Sequence, residues 1–265
     1  MEPHQTSAAM NVAVAAAREA GKLISQSIGQ LDKVKVTQKN RNELVSEIDV
    51  LAEKTIIEEL DRAHPDFNIL GEECGDLGRD SDFCWVIDPI DGTHNFLHGH
   101  PHCAISIALK EKGEAVVAVV YDPLRNELFT ARKGNGAQLD GRRIRVSANS
   151  KLSQSLLCTG FPYRDQQDTK PWIKTFALVL PRAQGIHRTG SSVLDFAYVA
   201  AGRYDGFWEF GLREWDIAAG ALLVKEAGGL VTDISGGTDL SKSGNVVAGN
   251  PKIHEKLNHL VSTQA

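Results

Sequence analysis

The chain has 265 residues, of which 42% are hydrophobic and 24% charged, a composition typical of a folded globular protein. Its net charge of −5 provides no basic field for nucleic acid, and no apolar run reaches the roughly 18 residues that a membrane span needs. The polar N-terminus does not have the pattern of a signal peptide, and the four cysteines form no CxxC pair. Both features predict a cytoplasmic protein with reduced thiols.

The predicted elements of the first half are two helices followed by a sheet. Ser7 is expected to cap a helix over 8–29, and a second helix is expected along 42–65, where Ser46 and Asp49 have capping-box spacing. Short apolar runs then alternate with turns from 67 to 146, which predicts a mainly antiparallel sheet. Its hairpins turn at Lys112-Gly113 and Asp140-Gly141.

In the second half, strands alternate with helices. Strands are predicted at 155–160, 204–210, 230–235 and 245–249, and helices at 169–182, 191–203, 215–229 and 251–261. This order is typical of an α/β fold. The chain is therefore expected to divide into an α+β region, 1–148, and an α/β region, 149–265.

Acidic residues end three separate apolar runs, and together they suggest one site. They are Glu72 with its neighbour Glu73, then Asp88 and Asp91, and finally Asp216. Each acid alone has an ordinary explanation, because Asp216 could cap a helix, Asp91 could form a turn and the glutamates could lie at the surface.

The segment from Asp88 to Thr93, DPIDGT, points more firmly to a metal. Pro89 stiffens the connection between its two acids, and Gly92 permits close approach of the backbone to a ligand. A helix that begins at Thr93 would present N–H groups to an anion. Two carboxylates ~4 Å apart repel by ~4 kcal/mol at an effective dielectric near 20, and a divalent cation between them and a phosphate removes that repulsion. Oxygen ligands favour Mg²⁺ over zinc.

The same stretch offers an alternative metal site in its histidines, His94, His98, His100 and His102. The last three alternate across a loop with Gly99 and Pro101, rather than at the i, i+4 spacing of a helical zinc pair. We therefore predict that the acids bind the metal and that the histidines have structural or pocket-rim roles.

Several segments together resemble the inositol monophosphatase family. They are NELVSEID (42–49), GEEC (71–74), WVIDPIDGTHNF (85–96), VVYDPLRNELFTARKGNGA (119–137), REWDIAAGALLVKEAGG (213–229) and AGNP (248–251). The likeness runs from about Ala13 to Pro251. It implies a layered αβαβα sandwich, a homodimer, two or three Mg²⁺ per active site and sensitivity to lithium. One departure is His94, where the family often has Thr.

The resemblance also implies roles for individual residues. Glu72, Asp88, Asp91 and Asp216 would ligate Mg²⁺ through their carboxylates, and Ile90 through its backbone carbonyl. The region 1–148 would then carry most of the metal ligands, and 149–265 would complete the site. Thr93 and Glu72 would orient and deprotonate the attacking water, with Asp49 supporting Thr93. Further residues would contact the phosphate or line the substrate pocket: Asp91, Gly92, Thr93, Gly190, Ser191, Ser192, Glu209 and Asp216.

The implied activity is hydrolysis of myo-inositol monophosphate by metal-activated water. One alternative is a related phosphatase of fructose bisphosphate, a 3′-phosphoadenosine nucleotide, histidinol phosphate or NADP. Another is a binding role, because some bacterial proteins that resemble this one associate with the transcription machinery. A transcription-complex or RNA partner is therefore an open alternative to a purely catalytic role.

Overall fold

The computed structural model describes residues 2–40, 43–162, 169–240 and 242–263. A β-hairpin separates the first two helices: α1 (Pro3–Ser27), β1 (Val36–Asn40), β2 (Glu43–Ser46) and α2 (Glu47–Ala63). Helix α2 has the predicted capping box, in which Ser46 N donates to Asp49 Oδ2 over 2.8 Å and Asp49 N donates to Ser46 Oγ over 3.3 Å. The prediction that Ser7 caps α1 is wrong. The helix begins five residues earlier, at Pro3 instead of residue 8, with Glu2 as N-cap.

An eight-stranded sheet forms most of the first half. Its strands are β3 (Asn68–Gly71), β4 (Gly75–Asp76), β5 (Phe83–Asp91), β6 (Ala104–Glu111), β7 (Glu114–Asp122), β8 (Glu127–Arg132), β9 (Gly136–Leu139) and β10 (Arg142–Arg143). The spatial order is β10-β9-β8-β7-β6-β5-β3-β4. Every neighbouring pair is antiparallel except β3 and β5, which run parallel. The short helix α3 (Thr93–Leu97) follows β5.

The two predicted hairpin turns are confirmed. Lys112 and Gly113 have φ values of 50° and 85°, and Asp140 and Gly141 have values of 49° and 75°. Two successive positive φ angles are typical of the two-residue turns whose twist matches that of antiparallel strands.

A five-stranded sheet with helices on both faces forms the second half. Its elements are β11 (Leu156–Thr159), α4 (Thr169–Val179), β12 (Gly185–His187), α5 (Ser192–Ala200), β13 (Gly206–Glu209), α6 (Glu214–Glu226), β14 (Leu230–Asp233), β15 (Val246–Gly249) and α7 (Pro251–Ser262). In the order β12-β11-β13-β15-β14, the first three strands are parallel and the last two run antiparallel to their neighbours. The predicted elements of this half are confirmed, whereas the three-residue strand β12 was not predicted.

Helices and sheets stack in five layers. Helices α1 and α2 cover one face of the first sheet, α5 and α6 fill the space between the sheets, and α7 with α4 covers the outer face of the second. Alternate residues of β5 show how both faces are buried, since Trp85 and Ile87 contact the α1–α2 core while Val86 faces α5 and α6. The αβαβα sandwich is confirmed.

The predicted chain division falls between the two sheets, because the first ends at Arg143 and the second begins at Leu156. Helix α6 nevertheless packs against strands of both sheets. The regions 1–148 and 149–265 therefore remain a prediction as folding units. In the described ranges, no helix combines the length and the apolarity that crossing a bilayer requires.

Candidate active site

The candidate site lies where two pairs of parallel strands end. Gly71 of β3 pairs with Ile87 of β5, so Glu72 leaves its strand beside Asp88. Thr159 of β11 pairs with Trp208 of β13, which places Gly160 and Glu209 at one edge of the second sheet. The carboxyl ends of parallel strands are the usual place for ligand sites in α/β proteins. Here both edges line one cavity of about 440 Å³.

Three aspartates meet in this cavity. Asp88, Asp91 and Asp216 each offer a carboxylate oxygen, and these oxygens lie within 4.8 Å of one another. Asp88 and Asp216 are buried, at 1% and 4% exposure. Asp216 is not the N-cap of α6. It occupies the third helical position, where its Oδ2 accepts a 2.7 Å hydrogen bond from Arg213 N. Asp216 therefore belongs both to the capping box of α6 and to the aspartate cluster.

The electrostatics of this cluster favour a bound cation. Burial, followed by the negative charges of Glu72, Asp91 and Asp216, raises the pKa of Asp88 well above its usual value. Glu72 lines the same cavity, and its side chain shares a hydrogen bond with that of Asp88. Crowded carboxylates are costly unless a cation neutralises them. The donors are all oxygen atoms, so the set fits Mg²⁺ rather than zinc.

Asp91 connects the cluster to helix α5. Its Oδ2 accepts hydrogen bonds from Ser191 Oγ over 2.5 Å and from Val193 N over 2.8 Å. Ser191 is also the N-cap of α5, where its Oγ accepts from Leu194 N over 3.3 Å. The start of α5 therefore orients one carboxylate of the cluster and brings Ser191 and Ser192 to the cavity wall.

Thr93 and Asp49 form a hydrogen-bonded pair beside the acids. The Thr93 hydroxyl lies 3.0 Å from Asp49 Oδ1 and 3.0 Å from the carbonyl oxygen of Ile90, and can donate to either. Ser46 donates to the other oxygen of Asp49 through its N–H, over 2.8 Å, and its hydroxyl, over 2.5 Å. Burial raises the pKa of Asp49 to about 6, although the bonds from Ser46 and Thr93 act in the opposite direction.

Gly92 stands where two loops approach each other closely. Its φ is 94°, and an added Cβ would lie 3.0 Å from the carbonyl oxygen of His102 and 3.2 Å from that of Gly190. Asn95 joins the same loops, because its Nδ2 donates to His102 O over 2.8 Å and to Thr189 O over 2.9 Å. Glycine is therefore required at 92 by both conformation and space.

Glu209 is a buried carboxylate on the second sheet's side of the cavity, at 6% exposure. Gly160 leaves room for it, since a Cβ at 160 would lie 2.0 Å from Glu209 Oε1. The structure thus places Glu209, Gly190, Ser191 and Ser192 on the lining of the cavity that contains the aspartate cluster.

The histidines lie apart from the clustered metal-ligand atoms. Among the described residues, the group of possible metal ligands consists of the three aspartates alone. His98 and His100 are exposed, whereas His102 is buried against Tyr198, with 6.0 Å between ring centroids. Burial, followed by the charges of Arg125 and His100, lowers the pKa of His102 to about 4. His94 lines the cavity from its exposed rim.

Comparison with known proteins identifies the family. The model of the inositol monophosphatase family matches residues 6–265. The chain belongs to the inositol monophosphatase family.

Individual relatives of this family agree in sequence and in fold. The chain is 51% identical over 253 residues to "Nus factor SuhB" of Pseudomonas aeruginosa, which covers 94% of this chain and 93% of the relative. It resembles the crystal structure of extragenic suppressor protein suhB from Bartonella henselae with a TM-score of 0.93 and 44% identity, covering 96% and 98% of the two chains. It also resembles the inositol monophosphatase from Anabaena with a TM-score of 0.86 and 37% identity, covering 97% and 96%.

Two charged residues of this inositol monophosphatase fold line the cavity without having been predicted from the sequence, as do Leu44, Gly160 and Leu212. Asp195 is buried in α5, where it accepts a 2.8 Å hydrogen bond from Thr189 Oγ1, and burial raises its pKa well above the usual value. An acid within the apolar run VLDFAYVA was the available signal. Arg188 is the one Lys or Arg among the described lining residues, and its Cζ lies 4.8 Å from the ring centroid of Phe161. No pattern in the sequence distinguished it.

Proposed function

We propose that this protein is a Mg²⁺-dependent phosphomonoesterase that hydrolyses myo-inositol monophosphate to inositol and phosphate. The observation that supports this function is the content of one cavity. It holds the aspartate cluster and Glu72 beside the hydrogen-bonded Thr93, with a further buried carboxylate, Glu209, on the opposite sheet. Family membership favours a phosphatase, and the all-oxygen donor set favours magnesium.

The acids would form the metal-binding wall. Glu72, Asp88, Asp91 and Asp216, with the carbonyl of Ile90, would hold two or three Mg²⁺. When bound, these ions would lower the pKa of the attacking water and neutralise the charge that develops on the leaving oxygen. The remaining steps belong to the protein's own groups, which position the water and the substrate.

Thr93 and Glu72 would orient the attacking water, and Glu72 would receive its proton. If the Thr93 hydroxyl donates its hydrogen to Asp49 Oδ1, 3.0 Å away, its lone pairs point toward a water in the cavity. The water then donates one hydrogen to Thr93 and the other toward the Glu72 carboxylate, which acts as the base. Asp49 has a pKa of about 6, so it accepts this hydrogen bond as a carboxylate at neutral pH.

The substrate would lie with its phosphate toward the first sheet and its alcohol toward the second. The backbone N–H groups of Gly92 and Thr93 would donate to phosphate oxygens, which Gly92 permits because it has no side chain. Glu209 would accept a hydrogen bond from a hydroxyl of the inositol ring. Gly190, Ser191 and Ser192 would form the pocket wall on which the ring lies.

A substrate panel tests this function. Inositol 1-phosphate, fructose 1,6-bisphosphate, 3′-phosphoadenosine 5′-phosphate, histidinol phosphate and NADP would each be offered with Mg²⁺ and with excess EDTA. We expect the highest kcat/KM for inositol 1-phosphate, and loss of turnover in EDTA. Residual turnover by the Asp88→Asn variant, which we expect to be inactive, gives the activity of contaminating phosphatases. A tenfold higher kcat/KM for another ester would overturn the substrate assignment, and metal-independent turnover would overturn the mechanism.

A role in a transcription complex is a second candidate function, favoured by a relative's name. The protein of Pseudomonas aeruginosa that is 51% identical to this chain is named Nus factor SuhB. We propose that this chain, too, binds a transcription-complex protein or RNA partner, independently of catalysis. Affinity capture with the wild type and with Asp88→Asn tests this role. A partner retained by both supports it, and capture of none by either would overturn it.

We also propose that the protein is a homodimer, as the family resemblance implies. Size-exclusion chromatography with light scattering should give a mass near twice that of one chain. A monomeric mass at micromolar concentration would contradict this.

A further inference from the structure

Helix α2 contacts the segments that form the candidate site through two buried acids rather than one. Asp49 and Glu53 are one turn apart, at i and i+4, so their side chains share a face of the helix. Both are almost fully buried, at 1% and 3% exposure. Asp49 accepts a hydrogen bond from Thr93, in the segment that follows β5. Glu53 reaches a different segment, the turn that follows β3.

Glu53 binds the backbone of the turn that contains Glu72. Its Oε1 accepts a 3.0 Å hydrogen bond from Glu73 N, and its Oε2 accepts a 2.7 Å hydrogen bond from Cys74 N. The residue before this turn is Gly71, where an added Cβ would lie 2.3 Å from Glu53 Oε1. The glycine therefore makes room for the carboxylate.

The backbone around Glu72 is consequently held from two sides. Its own N–H donates to the carbonyl oxygen of Ile87 in β5 over 3.1 Å, and the next two N–H groups donate to Glu53. Three consecutive N–H groups thus have defined partners, which fixes the direction in which the Glu72 side chain leaves the turn. Hydrogen bonds from N–H groups to a carboxylate are stronger than those between neutral groups, which suits this purpose.

Burial of the Glu53 carboxylate destabilises the folded protein unless its hydrogen bonds to this turn offset the cost. Burial of a carboxylate is unfavourable, and it raises the pKa of Glu53 above the usual value. A glutamine or an apolar residue would fill the same volume in α2 at lower cost. Neither supplies two acceptor oxygens to two adjacent N–H groups.

We propose that Glu53 is a positioning residue of the metal site, which aims the Glu72 carboxylate by fixing the turn from Glu72 to Cys74. Helix α2 then orients two groups of the site at once, Thr93 through Asp49 and Glu72 through Glu53. The proposal rests on the proposed function, because it assigns Glu72 to the metal. Loss of an outer hydrogen-bonding partner typically weakens metal affinity or activity by about 10–100-fold.

The test compares Glu53→Gln and Glu53→Asp with a control on the same helix. Glutamine keeps the volume but turns an amide NH₂ toward one of the two N–H groups, and aspartate keeps both oxygens but is one methylene shorter. Glu58→Gln is the matched control. It makes the same change on the same helix, but Glu58 is exposed, and its Oε1 lies 3.9 Å from Lys54 Nζ in a surface ion pair. Calorimetric titration of metal-free protein with Mg²⁺ measures affinity, and circular dichroism measures folding and Tm. Turnover gives the half-saturating Mg²⁺ concentration and the substrate KM.

We expect Mg²⁺ affinity to fall about 10–100-fold in Glu53→Gln and less in Glu53→Asp, with Glu58→Gln unchanged. The substrate KM at saturating Mg²⁺ should change less than about threefold. A lower Tm with unchanged Mg²⁺ affinity would overturn the proposal, because Glu53 would then support only the fold. The same conclusion holds if neither Glu53 variant folds while the control does. Absence of turnover in the wild type would instead contradict the proposed function, and the Mg²⁺ titration would still decide the role of Glu53.

Discussion

Replacement of Asp88 by asparagine should abolish Mg²⁺ binding and activity and yet stabilise the metal-free protein. The change keeps the size of the side chain and its Oδ1, which accepts a 3.0 Å hydrogen bond from Ile90 N. It removes a buried charge that faces the other acids of the cluster. The new amide group can also donate hydrogen bonds to the carboxylates that remain.

The size of the gain follows from the geometry of the cluster. Two unit charges 4.8 Å apart, the largest separation in the cluster, repel by roughly 3.5 kcal/mol at an effective dielectric near 20. The raised pKa of Asp88 shows that the folded protein relieves part of this repulsion by binding a proton. We therefore expect a net gain of about 2 kcal/mol in the free energy of unfolding, or roughly 4–8 °C in Tm for a chain of this size.

The stability that Asp88→Asn adds to the metal-free protein should increase with pH. The pKa of Asp88 is raised in the folded state, so the folded protein retains a proton that the unfolded chain releases near pH 4. Stability of the metal-free wild type should fall as the pH rises from about 4 through the folded pKa. Asp49 contributes with the same sign up to its pKa of about 6. The Asp88→Asn variant lacks the contribution of Asp88, so its stability should fall less steeply with rising pH.

The assay is thermal unfolding in EDTA from pH 5 to pH 9, followed by Mg²⁺ titration at pH 8. Asp80→Asn is the control, because it removes one negative charge from an exposed position. A metal-free Asp88→Asn protein that is less stable than the wild type at pH 8 would refute the repulsion argument. Wild-type Mg²⁺ affinity in that variant would refute the assignment of Asp88 to the metal.

Three further predictions concern the substrate pocket, the histidines and the metal. Glu209→Gln should lower kcat/KM for inositol 1-phosphate by about 1–3 kcal/mol, roughly 5–150-fold, and change that for a simple aryl phosphate little; equal losses would mean that Glu209 supports the fold or the metal site. Replacement of His98, His100 and His102 by glutamine should keep Mg²⁺-dependent turnover within about tenfold, and a far larger loss that zinc restores would contradict this. Lithium should inhibit initial rates, because a single charge stabilises the leaving oxygen less than Mg²⁺ does; indifference at tens of millimolar, an order-of-magnitude expectation, would argue against a second metal site.

Part of the candidate metal site was predictable from local sequence. Pro89 and Gly92 identified the segment between Asp88 and Thr93 as a stiff connection with an open backbone, and the capping box of Ser46 and Asp49 was visible as a four-residue pattern. Such signals depend on neighbours within one or two turns, so a single sequence displays them. The family resemblance supplied the expected roles of Glu72, Asp216 and Glu209, which no local pattern assigns.

Other features of the site depend on contacts between distant segments. Glu53 and Asn95 look like ordinary polar residues of two helices, and the N–H and carbonyl groups that they bind are known only from the folded structure. Asp195 likewise reaches the cavity through the packing of α5 against the second sheet, and Arg188 through the pairing of β12 with β11. A side chain's partner across the fold cannot be inferred from its own neighbours.

The sequence by itself determined most of the elements, because helix and strand periods, caps and hairpin turns are local. It predicted a mainly antiparallel first sheet, and the parallel pairing of β3 with β5 is where tertiary structure decided otherwise. That single pairing brings Glu72 beside Asp88, and the packing of α6 between the two sheets brings Asp216 to the same point. Strand direction depends on how a connection crosses the sheet and on which faces become buried. These properties belong to the whole chain, so only the folded structure could decide that separate acids form one site.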